Sequence, residues 1–451
     1  MKKILFIGAG RSASSAVKYL LEHAEANDWV LRLGDMDLTL AIERIGNHSR
    51  GEAFGFDVLN PEEREREIKN CDIVISMVPA RFHVEVVKDC IRFGKNVLTP
   101  SYVSKEMKEL DGAAKEAGII IMNEIGLDPG IDHMSAKKIL DEIEAEGGEI
   151  FQFESFTGGL LAPESENNPW KYKFTWNPRN VVLAGQGGAA KFIHNKQYKY
   201  IPYTKLFRRT EFIDIDGYGR FEGYANRDSL KYRSIYGLEN IDTIYRGTLR
   251  RVGFCRAWDV FVQLGCTDDS YVIEGSEHMT KREYINSFLR YNRHDSVELK
   301  LRHYLKIDED DTLWEKLEWL GLFDSEPVNL GKDGTPAQML QKILKDKWSL
   351  SDEDKDMIVM WHKFGYYLNG KKFGIESSMV HIGKDQVYTA MSDTVGYPVA
   401  ICAEMILNGT IQSKGVQLPT HAEIYNPVLD KLSEYGIKFN EKKVNDPITA
   451  E

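Results

Sequence analysis

Lys2-Lys3-Ile4-Leu5-Phe6-Ile7-Gly8-Ala9-Gly10-Arg11-Ser12-Ala13 decides the architecture. Ile4 to Ile7 is apolar without alternation, the mark of a strand buried on both faces, and it stops at glycine. Gly8, Gly10 and Ala13 then make a G-x-G-x-x-A spacing that opens a helical stretch, a permitted form of the dinucleotide fingerprint. Gly8 permits the tight turn, Gly10 lets a backbone approach a pyrophosphate, and Ala13 is small enough for the helix to pack on the strand. The helix N-terminus adds oriented N–H donors and positive potential. Gly8, Ala9, Gly10, Arg11 and Ala13 are therefore the candidate phosphate-side residues.

Asp35 closes the second predicted strand, 22 residues beyond Ala13. A carboxylate there accepts hydrogen bonds from ribose hydroxyls and repels a 2′-phosphate. Met36 and Asp37 follow, and the next basic residue is Arg44, so the charge pattern favours NAD over NADP. The alternative is an Asp that merely caps the next turn.

Outward from this motif, strand and helix patterns alternate through residue 126. The strand candidates are Lys3–Ile7, Val30–Gly34, Ala53–Phe56, Ile73–Val78, Asn96–Thr99 and Ile119–Ile125. Apolar strands separated by amphipathic helices predict an α/β fold whose N-terminal part is a Rossmann, doubly wound parallel sheet. Ligands on such sheets sit beyond the strand C-termini. That rule nominates Asp57-Val58, Val78-Pro79, Ser101-Tyr102 and Leu127-Asp128-Pro129-Gly130, and Pro100 and Val103, which flank Ser101-Tyr102, join the cofactor candidates.

Farther along, residues 150–275 turn β-rich and aromatic, 276–348 read as consecutive helices, and Met357–Ile382 reads as a hairpin around Asn369-Gly370. The last clear element is a helix over Thr389–Leu407. The expected organisation is a Rossmann domain over 1–130 with a helix at 388–409 packing back on it. A mixed α/β substrate-binding domain is expected over 131–275 and 349–387, with an all-helical insertion at 276–348.

The chain has 451 residues, 58 Lys+Arg against 69 Asp+Glu, and a net charge of −11. That balance argues against a nucleic-acid partner, which needs a basic face. No apolar run reaches the roughly 18–20 residues of a membrane span, and the N-terminus carries no signal- or transit-peptide pattern, so the expected compartment is the cytoplasm. Five dispersed cysteines without a C-x-x-C pair, and no H-E-x-x-H, indicate buried thiols and no metal site. Several Arg lie in polar, loop-like stretches, among them Arg227, Arg246 and Arg250. Arg binds carboxylates through a planar fork, although surface ion pairs are the commoner use of such residues.

Long motifs then give a resemblance. Ser101-Tyr102-Val103-Ser104 and Asn123-Glu124-Ile125-Gly126-Leu127-Asp128-Pro129-Gly130-Ile131-Asp132-His133 look like saccharopine dehydrogenase of the L-glutamate-forming type. So do Ala162-Pro163-Glu164-Ser165 with Asn168-Pro169, Tyr172-Lys173-Phe174-Thr175-Trp176 and Asn226-Arg227-Asp228-Ser229. Arg246-Gly247-Thr248-Leu249-Arg250, Tyr388-Thr389-Ala390-Met391 and Asp393-Thr394-Val395-Gly396 complete a match that runs nearly the whole chain in order.

The resemblance implies oxidation of saccharopine, a tricarboxylate secondary amine, to an imine that water hydrolyses to L-glutamate and 2-aminoadipate 6-semialdehyde. By similarity Ser101, Tyr102, Arg227, Thr248, Leu249 and Arg250 contact the substrate, while Leu127, Asp128 and Trp176 line the junction with the cofactor. The family's NADP-using members carry Arg where this chain has Asp35, and its NAD-using, lysine-degrading members carry Asp. A homodimer is likewise implied. One departure stands out: family members commonly have Tyr-Cys-Gly-Gly where this chain has Phe156-Thr157-Gly158-Gly159.

Tyr102 and Asp128 are the titratable candidates for proton transfer, with reference pKa values of about 10 and 3.9, so either would need perturbing to act as a base near neutrality. Positioning alone is the alternative role for both. His133, at the start of a predicted helix, reads as a cap. Two other functions fit parts of the pattern: a carboxylated-polyamine dehydrogenase, with less need for so many Arg, and a non-catalytic NAD-binding sensor.

Overall fold

In the computed structural model, which describes residues 1–444, the apolar runs become strands β1 (Lys2–Ile7), β2 (Trp29–Asp35), β3 (Gly51–Gly55), β4 (Ile73–Ser76), β5 (Asn96–Leu98) and β6 (Ile120–Met122). Their order is β6-β5-β4-β1-β2-β3, all parallel. Strand order reverses at β1, which places the ligand end of the sheet at the turn after it. All four residues of β4 are buried, because helices cover both faces.

A three-residue strand from far down the chain, Gly415–Gln417, pairs in parallel with β6 and extends the sheet. The chain divides into two compact units: Met1–Ile150 together with the segment from Tyr366 onward, and Phe151–Gly365. These boundaries differ from those placed at 130 and within 349–387. The C-terminal return is carried by long-range pairing that leaves no local signature.

Within the first unit, the helix Ala390–Leu407 packs on α1 (Ser14–Glu22). Ser15 Oγ donates to Asp393 Oδ1 at 2.5 Å and lies 2.9 Å from Ser392 Oγ. A Cβ on Gly396 would come within 2.7 Å of the Ala16 nitrogen, so the close approach requires glycine there. The sequence placed its last element at this helix. The structure adds Gly415–Gln417, the helix Ala422–Glu434 and the strand Asn440–Val444.

In the second unit, the strands Thr210–Ile215, Gly219–Ala225, Thr243–Arg251 and Glu149–Leu161 lie side by side. Helices Lys281–Ser287, Val297–Leu305, Thr312–Trp319 and Pro336–Trp348 follow. The stretch expected to be β-rich also holds a helix, Phe254–Leu264, nine of whose eleven residues are buried and whose polar stripe is only Arg256, Asp259 and Gln263. All five cysteines are buried and unbridged. Among the described residues no helix is long and apolar enough to cross a membrane.

Candidate functional site

The turn after β1 has the features a dinucleotide needs. Gly8 holds φ +104°, and a Cβ there would sit 3.0 Å from the Met77 carbonyl oxygen. A Cβ on Gly10 would meet nothing within 4 Å, leaving open space beside the backbone. The Ala13 N–H donates to the Gly10 carbonyl and the Ser15 N–H to Ser392 Oγ, so the N–H groups that the turn offers an anion are those of Gly10, Arg11 and Ser12. Ala13 is buried and Arg11 is exposed.

Asp35 Oδ2 accepts the Ala9 N–H at 2.6 Å and Oδ1 accepts the Asp37 N–H at 2.8 Å. The cap of the following helix is Asp37, which accepts from Thr39 and Leu40. Asp35 thus ties the turn that follows β2 through the Asp37 N–H, as the capping alternative expects, and also holds the Ala9 N–H. Arg44, remote in sequence, reaches back so that its Nε lies 3.5 Å from the Ala9 carbonyl oxygen.

Beyond the other strand ends, the nominated residues divide by what they present. Asp57 Oδ1 accepts the Leu59 N–H. Val58 belongs to the apolar core, and Val78 and Val103 pack against it, so contacts they make at the rim are through main chain. Pro100 packs so close to Gly126 that a Cβ there would be 2.8 Å away. Tyr102, 39% exposed, donates from Oη to Asp128 Oδ1 at 3.0 Å. Leu127 is buried beside it in a tight loop where the Gly126 N–H donates to the Pro129 carbonyl.

Ser101 Oγ lies 2.8 Å from Nε2 of His83, a residue the sequence did not single out. The same ring meets Ser76 Oγ at 2.9 Å and Thr99 Oγ1 at 3.0 Å. Burial pushes this imidazole down to about 4, so it is neutral near pH 7. Only the folding of β4 and β5 side by side collects these hydroxyls. His133 does not cap its helix: it is fully buried and its Nε2 meets Glu124 Oε2 at 2.7 Å.

In the second unit, Thr248 and Arg250 alternate with Leu249 along Thr243–Arg251, so they share one face and the Leu249 side chain is sealed in the other. Arg250 is only 4% exposed. Its guanidinium donates to the Leu249 carbonyl at 2.8 Å, while Nε has no partner. The rings of Tyr172, Tyr224 and Phe254 surround it at 5.1, 5.8 and 5.3 Å. Glu222, also buried, faces it in register on the neighbouring strand, and the unbonded Nε is a donor that suits a carboxylate ligand.

Other polar atoms in this unit also lack partners. Thr157 stands in register with Thr248 and its Oγ1 is buried and unbonded. Tyr172 Oη is likewise unbonded, and burial pushes this phenol up to about 12. Arg227 is exposed with φ +47°, and Trp176 is 37% exposed.

Comparison with known proteins agrees with this geometry. The Saccharopine dehydrogenase NADP binding domain family matches residues 4–122, and the Saccharopine dehydrogenase C-terminal domain family matches 126–437. "Saccharopine dehydrogenase [NADP(+), L-glutamate-forming]" of Schizosaccharomyces pombe is 33% identical over 99% of this chain and all of its own. The enzyme of the same name from Saccharomyces cerevisiae is 34% identical over 98% of this chain and 99% of its own. Mitochondrial alpha-aminoadipic semialdehyde synthase of Rattus norvegicus is 34% identical, and the match spans 47% of its length.

The apo structure of the L-Glu-forming saccharopine dehydrogenase from Saccharomyces cerevisiae superposes with a TM-score of 0.90 at 32% identity, over 98% of this chain and all of that one. Homospermidine synthase from Legionella pneumophila shares the fold, at a TM-score of 0.56 and 9% identity, over 98% of this chain and 92% of that one. The chain belongs to the L-glutamate-forming saccharopine dehydrogenase family, oxidoreductases acting on CH–NH donors.

Proposed function

We propose that this chain oxidises L-saccharopine, with NAD and water, to L-glutamate and 2-aminoadipate 6-semialdehyde, in the degradative direction of lysine metabolism. The observation that carries the reading is Arg250, a buried guanidinium with an orphaned Nε on the same strand face as Thr248. A substrate with several carboxylates gives that Nε an acceptor. Ser101, Tyr102, Arg227, Thr248, the Leu249 main chain and Arg250 are the substrate contacts in this reading.

When bound, the dinucleotide supplies the hydride acceptor. Gly8, Ala9, Gly10, Arg11 and Ala13 hold its phosphates, Asp35 holds the adenosine ribose, and Asp57, Val58, Val78, Pro100, Ser101, Val103, Leu127, Asp128 and Trp176 complete its surroundings. The substrate amine must be uncharged before hydride leaves, because only a nitrogen lone pair can form the C=N bond. Tyr102 Oη and Asp128 Oδ1, 3.0 Å apart, are the groups that hold and pass that proton. The same pair then orients the water that attacks the imine carbon. A cytoplasmic homodimer accompanies this reading, on the strength of the family resemblance alone.

A second cofactor reading, NADP, is favoured by Arg44 on the Ala9 carbonyl and by the names of the fungal relatives. Absorbance at 340 nm with saccharopine, comparing NAD and NADP side by side, separates the two. Faster NADH formation, with glutamate among the products, is expected. In Asp35→Ser/Met36→Arg the preference is expected to move towards NADP by at least about tenfold, the worth of one charge-assisted contact. Unchanged selectivity would remove Asp35 from the ribose site. Turnover of carboxylated polyamines in place of saccharopine would point to the polyamine enzyme, and tight NADH binding without turnover to a sensor.

A further inference from the structure

Glu124 stands between the two loops that carry Tyr102 and Asp128, and it touches the chain on both sides of the tyrosine. Its N–H donates to the Ser101 carbonyl at 3.1 Å. Its Oε1 accepts the Val103 N–H at 2.9 Å. Oε2 meets His133 Nε2 at 2.7 Å, in the first turn of the helix that follows the Asp128 loop. Tyr102 is thus bracketed by one residue, and that residue is tied through His133 to the element on which the Asp128 loop ends.

Two features say that this arrangement is imposed by its surroundings. Glu124 is 3% exposed, an expensive place for a carboxyl group. It also holds φ +57°, in the left-handed region that a residue with a long side chain seldom adopts. Such a conformation persists where the surrounding contacts over-determine it. Here those contacts converge on the Tyr102–Asp128 pair, since Asp128 lies between Glu124 and His133 in a loop closed by the Gly126 N–H on the Pro129 carbonyl.

We infer that Glu124 is a positioning residue, a carboxylate clamp that sets Tyr102 Oη against Asp128 and acts on the reaction only through that pair. This inference rests on the reaction proposed above. Proton transfer between positioned groups is sensitive to displacements of about 1 Å, so a loosened Tyr102 loop lowers turnover without altering the dinucleotide turn.

The test is a double-mutant cycle. Glu124→Gly deletes the carboxylate while suiting φ +57°, and Glu124→Gln keeps an acceptor for the Val103 N–H. Each is made alone and together with Tyr102→Phe. Glu124→Gly is expected to lower kcat for saccharopine oxidation by about tenfold or more, with the NADH Kd unchanged. In the Tyr102→Phe background it is expected to cost less than about twofold, because the two changes remove one device. Glu124→Gln is expected to retain most of the activity. Equal losses in both backgrounds would overturn the inference, as would a Glu124→Gln variant as impaired as Glu124→Gly.

Hydrogen exchange of the Val103 amide gives a readout that needs no turnover. Exchange is expected to be about tenfold faster in Glu124→Gly and near wild type in Glu124→Gln, since a hydrogen bond to a charged group is worth about 1.5–3 kcal/mol. Unchanged exchange in Glu124→Gly would overturn the clamp. If the wild-type chain does not oxidise saccharopine, the proposed reaction fails, and the exchange measurement still decides whether the clamp exists.

Discussion

At position 83 an imidazole is sealed among the hydroxyls of Ser76, Thr99 and Ser101, and its acid behaviour follows. Burial lowers its pKa from 6.5 to about 4. Below pH 6.5 the unfolded chain therefore binds a proton that the folded chain refuses. Stability from this site is complete above about 6.5 and is lost as the pH falls towards 4. Between pH 7 and pH 5 the loss is about 2 kcal/mol. His83→Asn is expected to remove that increment, seen as a urea midpoint that changes less between the two pH values than in wild type.

Arg250 makes a different kind of statement, because its charge is buried opposite Glu222 while its Nε has no partner among the described residues. Arg250→Met takes the cation away from the buried Glu222 that faces it, so the fold is expected to lose about 1–3 kcal/mol, seen as a lowered Tm. The same change is expected to raise the saccharopine KM by about 10–100-fold, the worth of a charge-assisted hydrogen bond. NADH binding, followed by fluorescence, should be unaffected. A normal KM would place Arg250 outside the substrate's reach.

The turn at Gly8 and the placing of Asp35 at the end of β2 were legible in the sequence because each depends on position relative to one strand end. His83 and Glu124 were not, since each is defined by partners on neighbouring strands and loops. His133 was misread for the same reason: a histidine at a helix start reads as a cap until its ring is seen to face a buried carboxylate.

Among the elements, the helix pair Ser14–Glu22 and Ala390–Leu407 shows what a single hydrogen atom can matter. A methyl on Gly396 would press the Ala16 nitrogen at 2.7 Å and the Ser12 carbonyl at 3.3 Å, both main-chain atoms that cannot swing aside. Gly396→Ala is expected to cost about 1–3 kcal/mol, measurable as a lowered Tm.

Element boundaries were clearest where caps announce them. Asn60 with Pro61 starts one helix, and Thr335, Pro336 and Gln338 form a capping box that starts another. The helix Ala422–Glu434 escaped notice because Pro427 lies inside it and reads as a breaker. The strand Gly415–Gln417 is too short to show any period. The helix Phe254–Leu264 shows a helical period only in its three polar residues, Arg256, Asp259 and Gln263, amid the aromatic and β-branched residues that suggest strand.

Across the whole molecule, the parallel sheet could be read from its first repeat onward, because buried parallel strands are apolar along their length. The division of the chain could not. The C-terminal segment joins the first unit by pairing Gly415–Gln417 with β6 and by laying Ala390–Leu407 on α1, and neither partner lies nearby in sequence. Ser15 and Ser392, which touch, are 377 residues apart.

That separation has a consequence for biosynthesis. The turn after β1 is made before any of the second unit, and the helix that steadies it arrives only after the whole of that unit has been translated. Until then β6 is the rim of an unfinished sheet, an exposed row of backbone groups open to pairing with other chains. Any nonsense codon before position 390 removes the buttress and the last parallel strand together, leaving the nascent turn without support. In a cell, the firmness of the turn after β1 thus doubles as a test of whether translation has passed position 417.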